Sequence, residues 1–216
     1  MKSATEFGYK VGEYFGQQVT DSKQGLLTDD NLNKAERDYL LSLGLTESEF
    51  EIKKITVDRK QNLKLNTFIV HTDKGRSDSG KPSIVLIHGY GGTGLAFDEL
   101  ILVLATNFRV ILIDLIGNGS SSRPKWDIEN GLDADICYSV MLENWRRAMD
   151  LTDFYLVGTS YGGYIAGNYA ASYPRHIRKL VLCGPVGLAQ KPPNFSRVAR
   201  HDMFDKMPLF VRMVKD

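Results

Sequence analysis

The chain of 216 residues is long enough to bury one sizeable core, which makes a single α/β domain the default organisation. With 27 basic against 26 acidic residues the formal charge is +1, so no overall field draws nucleic acid or anionic lipid, and no nucleic-acid partner is expected. The two cysteines, Cys137 and Cys183, have apolar neighbours and neither metal-ligand nor redox spacing; they read as small buried hydrophobes suited to a reducing compartment, and no metal or other cofactor is implied.

Residues 1–27 mix Gly, Tyr and Phe with polar residues (Phe7, Gly8, Tyr9, Tyr14, Phe15) and fit neither helical nor strand periodicity. They read as an irregular N-terminal arm, either docked through its aromatics or a floppy terminus. Residues 1–18 carry Glu6 and Glu13, no arginine and no continuous apolar run, which matches neither a secretory signal nor a transit peptide. No stretch reaches the roughly eighteen consecutive apolar residues of a spanning helix, so a cytoplasmic location is expected.

A core is expected over residues 28–185. It opens with a helix from Asp29, where Leu32, Ala35, Tyr39, Leu40 and Leu43 recur at helical spacing, Asp29 or Asp30 can cap, and Gly44 stops the run. Thr46 and Glu49 have capping-box spacing and start a short turn. Glu51–Asp58 and Leu63–His71 read as two strands of a hairpin turning through residues 59–62, with His71 at a strand end as a surface residue. After a polar loop over 72–82, the continuous apolar run Ser83–His88 reads as a strand buried on both faces. Helix 94–106, strand 108–115, helix 132–149, strand 154–157, a helix to about Tyr173 and strand 177–183 then alternate. Alternation of this kind builds a mostly parallel sheet flanked by helices.

Three motifs sit at strand ends. Gly158-Thr159-Ser160-Tyr161-Gly162 follows the short strand at 153–157 and precedes a small-residue helix, the context in which a G-x-S-x-G serine sits on a sharp turn with its hydroxyl projected outward. Gly158 and Gly162 are needed there because a Cβ at either would meet neighbouring backbone. Alone the motif could also be a glycine-rich turn with a solvated serine. His88-Gly89-Tyr90-Gly91-Gly92 closes a buried strand, and its glycines let backbone amides converge on a ligand; the amides of Tyr90 and Tyr161 are the candidate donors to an oxyanion. A phosphate-binding loop is the alternative, but G-x-G-x-x-G spacing and a Walker lysine are both missing. His88 reads as a brace for this loop. Asp114 begins a third loop, through Gly117, Gly119 and Ser120–Ser122, and reads as structural.

These motifs, in this order and spacing, resemble the α/β-hydrolase superfamily. Lys125-Trp126-Asp127, Glu143-Asn144-Trp145-Arg146 and Gly184-Pro185-Val186-Gly187 are similar to the lipid-acting subfamily that contains the lipid-droplet coactivator of triglyceride lipase and the N-acyl phosphatidylethanolamine lipase. The resemblance covers roughly residues 29–193. It implies an α/β-hydrolase fold and a lipid or other acyl substrate, either hydrolysed or used for acyl transfer. The coactivator has lost the nucleophile that Ser160 supplies here, so the resemblance points to the enzyme-like branch.

In that superfamily the acid and histidine partners follow the serine. After Ser160 only His176 and His201 remain, and neither has the expected context: His176 reads as a surface loop residue, and no acid stands between the 177–183 strand and His201. The fold is accordingly expected to break off after its sixth strand, with 186–216 as the start of a lid. The 177–183 strand would then be a sheet edge needing cover from a protein partner, a second copy or further chain. The tail from Lys191 carries six Lys/Arg against three Asp, and its apolar cluster at 207–214 reads either as a peripheral contact with membranes or lipid droplets or as an ordinary lid helix. Two functions stay open: a serine hydrolase or acyltransferase whose base and acid are missing, and a truncated, inactive accessory subunit.

Overall fold

The computed structural model describes residues 29–71, 80–125 and 131–187. Helix α1, Asp29–Ser42, belongs to one compact unit, and everything from Leu45 onward belongs to another. It ends as its sequence dictates: Gly44 takes φ +95°, a left-handed conformation that costs glycine little, and its amide closes on the Leu41 carbonyl at 3.0 Å. In the second unit Thr46 and Glu49 form an isolated turn, with the Thr46 amide and hydroxyl both donating to Glu49 Oε2 at 2.8 Å.

The strands are β1 (Phe50–Asp58), β2 (Leu63–Val70), β3 (Ser83–Ile87), β4 (Arg109–Ile113), β5 (Phe154–Thr159) and β6 (Ile177–Cys183). They form one sheet in the order β1-β2-β4-β3-β5-β6. The β1–β2 hairpin is antiparallel and β2 meets β4 antiparallel, whereas β4, β3, β5 and β6 run parallel to their neighbours. Continuous apolar sequence goes with central position: Ile84–Ile87 and Val110–Ile113 are buried throughout. A single 3₁₀ turn at Gly94–Phe97 introduces α2 (Asp98–Ala105), so the helix expected from Gly94 divides in two.

Helices α3 (Gly131–Ala148) and α4 (Tyr161–Ser172) cover the main core, where Trp145, Phe154, Tyr169, Leu156 and Ile87 are almost fully enclosed. Polar ties fix α3 in place: Trp145 Nε1 donates to Thr67 Oγ1 at 3.0 Å and Asn144 Nδ2 to the Val57 carbonyl at 2.9 Å. At one end of its run Glu143, itself buried, accepts from Arg146, Arg147 and Tyr169.

Two expectations are corrected. His71 is buried rather than superficial: β2 lies between β1 and β4, so the residue just past its end is covered, and its Nε2 stands 3.5 Å from Glu51 Oε1. Cys183 is exposed and Cys137 half-buried. An apolar neighbourhood in sequence does not enclose a residue of β6, because β6 is the edge of the described sheet and leaves Leu180 and Val181 37% and 49% exposed.

Candidate active site

From β3 the chain passes through α2 to β4 on one side; from β5 it passes through α4 to β6 on the other. Adjacent parallel strands whose connections diverge leave a crevice at their carboxyl ends. Ser160 occupies the turn at the end of β5, and His88 to Gly92 the turn at the end of β3. The two turns touch, since a Cβ on Gly89 would lie 3.2 Å from Ser160 Cβ and 3.7 Å from its Oγ.

Ser160 has φ 52° and ψ −118°, a conformation that side chains avoid and that costs about 1–3 kcal/mol. Its surroundings enforce it. The Ser160 amide donates to the Cys183 carbonyl at 3.0 Å, and its carbonyl accepts the amides of Tyr164 and Val186, each at 3.2 Å. Both flanking glycines are obligatory. A Cβ on Gly158 would stand 2.8 Å from Ala166 Cβ and closer still to the Gly162 carbonyl; one on Gly162 would run into the carbonyls of Ile87 and His88. A third glycine, Gly163, is tight against Pro185, whose Cβ would be 2.9 Å away. The doubled glycine after the serine, Gly162-Gly163, is the sequence signal for that contact.

The β3 turn is closed by the Gly92 amide on the Gly89 carbonyl at 3.1 Å, with Gly91 at φ +66°. His88 is wholly buried. The Leu115 amide donates to its Nε2 at 3.0 Å, so Nδ1 carries the proton and donates to the Gly89 carbonyl at 2.6 Å. Burial pushes the imidazole pKa below its usual 6.5, against the opposing pull of the Gly89 hydrogen bond and the Asp114 charge. With both nitrogens engaged, the ring braces the turns after β3 and β4 and has no free nitrogen for proton transfer. The amides of Tyr90 and Tyr161 are not donors in any backbone hydrogen bond among the described residues.

Asp114 is equally enclosed. Its Oδ1 accepts the Gly94 amide at 2.7 Å, and its Oδ2 accepts Asn66 Nδ2 and the Ser120 amide, each at 3.0 Å. Ser121 Oγ donates to its carbonyl at 2.7 Å. A carboxylate so occupied holds a loop and leaves no oxygen for a catalytic partner. A Cβ on Gly119 would collide with it, which explains the glycine at φ +48°.

Four tyrosines surround the turn. The Tyr161 ring lies edge-on to Tyr90 (6.3 Å between centroids) and Tyr138 (6.0 Å) and stacks on Tyr164 (6.4 Å), whose hydroxyl donates to Asp135 Oδ2 at 2.7 Å. Burial, followed by the Tyr161 hydrogen bond, raises the Tyr138 pKa well above the usual phenol. Tyr90 is 62% exposed, so the cluster has an open side.

No imidazole or carboxylate among the described residues is hydrogen-bonded to Ser160 Oγ. His176 sits at the far, amino-terminal end of β6 and bonds the Thr152 carbonyl at 2.7 Å, about 20 Å along the strand from the nucleophile. His201 and the 207–214 cluster lie outside the described residues, as do the N-terminal arm and Trp126–Asp127. No group of three or more His, Cys, Asp or Glu among the described residues is placed to hold a metal ion, and no described helix is long and apolar enough to cross a membrane.

An alpha/beta hydrolase fold family model matches residues 82–214. A probable 1-acylglycerol-3-phosphate O-acyltransferase of Oryza sativa subsp. japonica is 38% identical over 120 residues, 56% of this chain and 29% of that protein. Abhydrolase domain-containing protein abhd-5.2 of Caenorhabditis elegans is 33% identical over 168 residues, 77% of this chain and 36% of that protein. The 1-acylglycerol-3-phosphate O-acyltransferase ABHD5 of Homo sapiens is 36% identical over 115 residues, 53% and 32% respectively. The chain thus spans about a third of the length of the curated relatives it matches. Among solved structures, a membrane phospholipase A superposes with a TM-score of 0.61 at 22% identity, over 91% of this chain and 58% of that one. A 2-hydroxy-6-oxo-6-phenylhexa-2,4-dienoate hydrolase from Rhodococcus sp. strain RHA1 gives 0.56 at 24% identity, over 67% and 50%. At these identities the structural likeness speaks for the fold.

Proposed function

The chain belongs to the α/β-hydrolase family, and on that premise we propose that it is a serine hydrolase or acyltransferase acting on lipid esters or amides, with Ser160 as nucleophile. The observation that carries the reading is the Ser160 backbone at φ 52°, ψ −118°, which hydrogen bonds to Cys183, Tyr164 and Val186 sustain at a cost no ordinary turn would need. The lipid substrate rests on the relatives, two of which are named as acyltransferases of 1-acylglycerol-3-phosphate.

Ser160 Oγ attacks the acyl carbonyl while its proton passes to a base, and the carbonyl oxygen becomes an oxyanion held by the amides of Tyr90 and Tyr161. One such donor lowers the barrier by about 3 kcal/mol in a dry site. The leaving alcohol or amine takes up the proton, and the acyl-serine then passes its acyl group to water or to an acceptor hydroxyl. Base and acid come from outside the described residues. Residues 186–216 are assigned to the lid, and its 207–214 cluster to contact with a lipid surface.

A second reading has one observation in its favour: among the described residues every histidine nitrogen and carboxylate near the turn is engaged elsewhere. The chain would then be a catalytically silent accessory subunit, docked through β6. A fluorophosphonate probe separates the two. Labelling of the native protein, abolished by Ser160→Ala, is the expected result; a native assembly that takes no label would remove the enzyme reading.

A further inference from the structure

The loop that follows β6 clamps the nucleophile from the side opposite the β3 turn. The Cys183 carbonyl receives the Ser160 amide at 3.0 Å and the Thr159 hydroxyl at 3.2 Å. Three residues on, the Val186 amide donates to the Ser160 carbonyl at 3.2 Å. Both peptide units of Ser160 therefore end on one stretch of four residues. The side chains repeat the arrangement. Pro185 sits against Gly163, where a Cβ would come within 2.9 Å of its own, and Gly187, at φ +82°, lies over the Tyr164 ring so closely that a Cβ would stand 2.8 Å from Cδ2. Gly184 also takes a positive φ, 53°, so the loop makes its return by two residues that a side chain would strain.

We propose that residues 183–187 are a positioning element for Ser160: they hold its backbone in the strained conformation that aims the hydroxyl, and their contact sets how fast the serine reacts. The inference rests on the reading of Ser160 as nucleophile and assigns the regulation of that site to a loop that touches no reacting atom. Its location makes it adjustable. Ile87 and His88 on the other flank are buried in the sheet centre, whereas β6 is the edge strand of the described sheet, with Leu180 and Val181 37% and 49% exposed, so the clamp is the softer of the two supports.

The test uses the native, full-length protein. Val186→Pro deletes the one amide by which this loop reaches the Ser160 carbonyl, leaving that of Tyr164, and Gly187→Ala lifts the loop by steric contact with Tyr164; the two act by different routes, so failure of one to fold leaves the other. Two readouts are taken at a temperature well below unfolding: the rate of fluorophosphonate labelling at Ser160, and hydrogen exchange at the Ser160 and Tyr164 amides. Labelling slowed by about five- to tenfold, the worth of one lost hydrogen bond, with faster exchange at Ser160 and an unchanged far-ultraviolet spectrum, is expected. Labelling within twofold of the parent together with unchanged exchange in the variant that folds would overturn the proposal. A parent protein that takes no label would instead sink the nucleophile reading, and the exchange measurement would still decide whether the loop holds Ser160.

Discussion

The Leu115 amide donates to His88 Nε2 at 3.0 Å, and through Nδ1 the same ring donates to the Gly89 carbonyl at 2.6 Å, so one neutral imidazole joins the turns that follow β3 and β4. Burial is the larger influence on it and lowers its pKa from 6.5. A folded-state pKa below the unfolded one means that the unfolded chain binds more protons as the solution is acidified. Stability owed to neutral His88 is thus complete above about pH 6.5 and is lost as pH falls below it. Denaturant midpoints should drop between about pH 7.5 and 5.5, and His88→Gln, which takes up no proton, should flatten that slope. An identical slope in the variant would assign the titration to another group.

Glu143 titrates in a different window. Hydrogen bonds from Arg146 first, and from Arg147 and Tyr169, hold its pKa down to about 2 against the opposing effect of burial. A depressed carboxylate stabilises above its unfolded value of 4.5 and loses that contribution as pH falls toward 2. Glu143→Ala takes from the half-buried guanidinium of Arg146 its carboxylate partner and from the buried Tyr169 hydroxyl its acceptor, and should cost about 3 kcal/mol at neutral pH. Urea denaturation at pH 7 checks it; a loss under about 1 kcal/mol would mean that Arg146 re-pairs, for instance more fully with the Leu151 carbonyl that it already contacts.

That cluster shows what a sequence can and cannot disclose. Glu143-Asn144-Trp145-Arg146 was recognisable only as a resemblance, because its partners, the Val57 carbonyl, Thr67 Oγ1 and Tyr169 Oη, lie far away in the chain and no local periodicity points to them. The serine turn was legible for the opposite reason: Gly158 and Gly162 are demanded by backbone within the motif or immediately across from it, and only glycine satisfies the demand. Strand and helix order followed from apolar runs and their spacing. His71 and Cys183 were misplaced because burial there depends on which strand lies at an edge, and strand order in a sheet is not written in any one strand.

The glycines of α4 separate steric need from mere tolerance. A Cβ at Gly162 meets the Ile87 and His88 carbonyls, whereas at Gly167, on the same helix, nothing lies within 4 Å. Gly162→Ala should destabilise by about 3 kcal/mol or more, since central-strand backbone has nowhere to move. Gly167→Ala should stabilise by about 0.5–1 kcal/mol through helix propensity alone. Thermal unfolding should therefore shift in opposite directions, by roughly 2–4 °C for each kcal/mol. Loss of stability in Gly167→Ala would mean that another chain or segment approaches α4 at that point in the native protein.

The exposed edge makes the last prediction. Along β6 the second half, Leu180–Cys183, is continuously apolar, yet Leu180 and Val181 remain 37% and 49% exposed and one side of the strand's backbone pairs with nothing in the described sheet. Proteins rarely leave such an edge bare, so β6 should be an interface in the native assembly. Light scattering on the native protein should then return a mass above the 24.2 kDa of this chain, and Val181→Lys, which puts a charge on the covered face, should lower it. Cys183, exposed at the end of the same strand, gives an independent reading: maleimide should modify it slowly in the parent and faster in the lysine variant. A monomeric, folded parent whose Cys183 reacts at once would leave β6 uncovered, and with it the accessory-subunit reading would lose its docking surface while the chemistry of Ser160 stayed open to the probe.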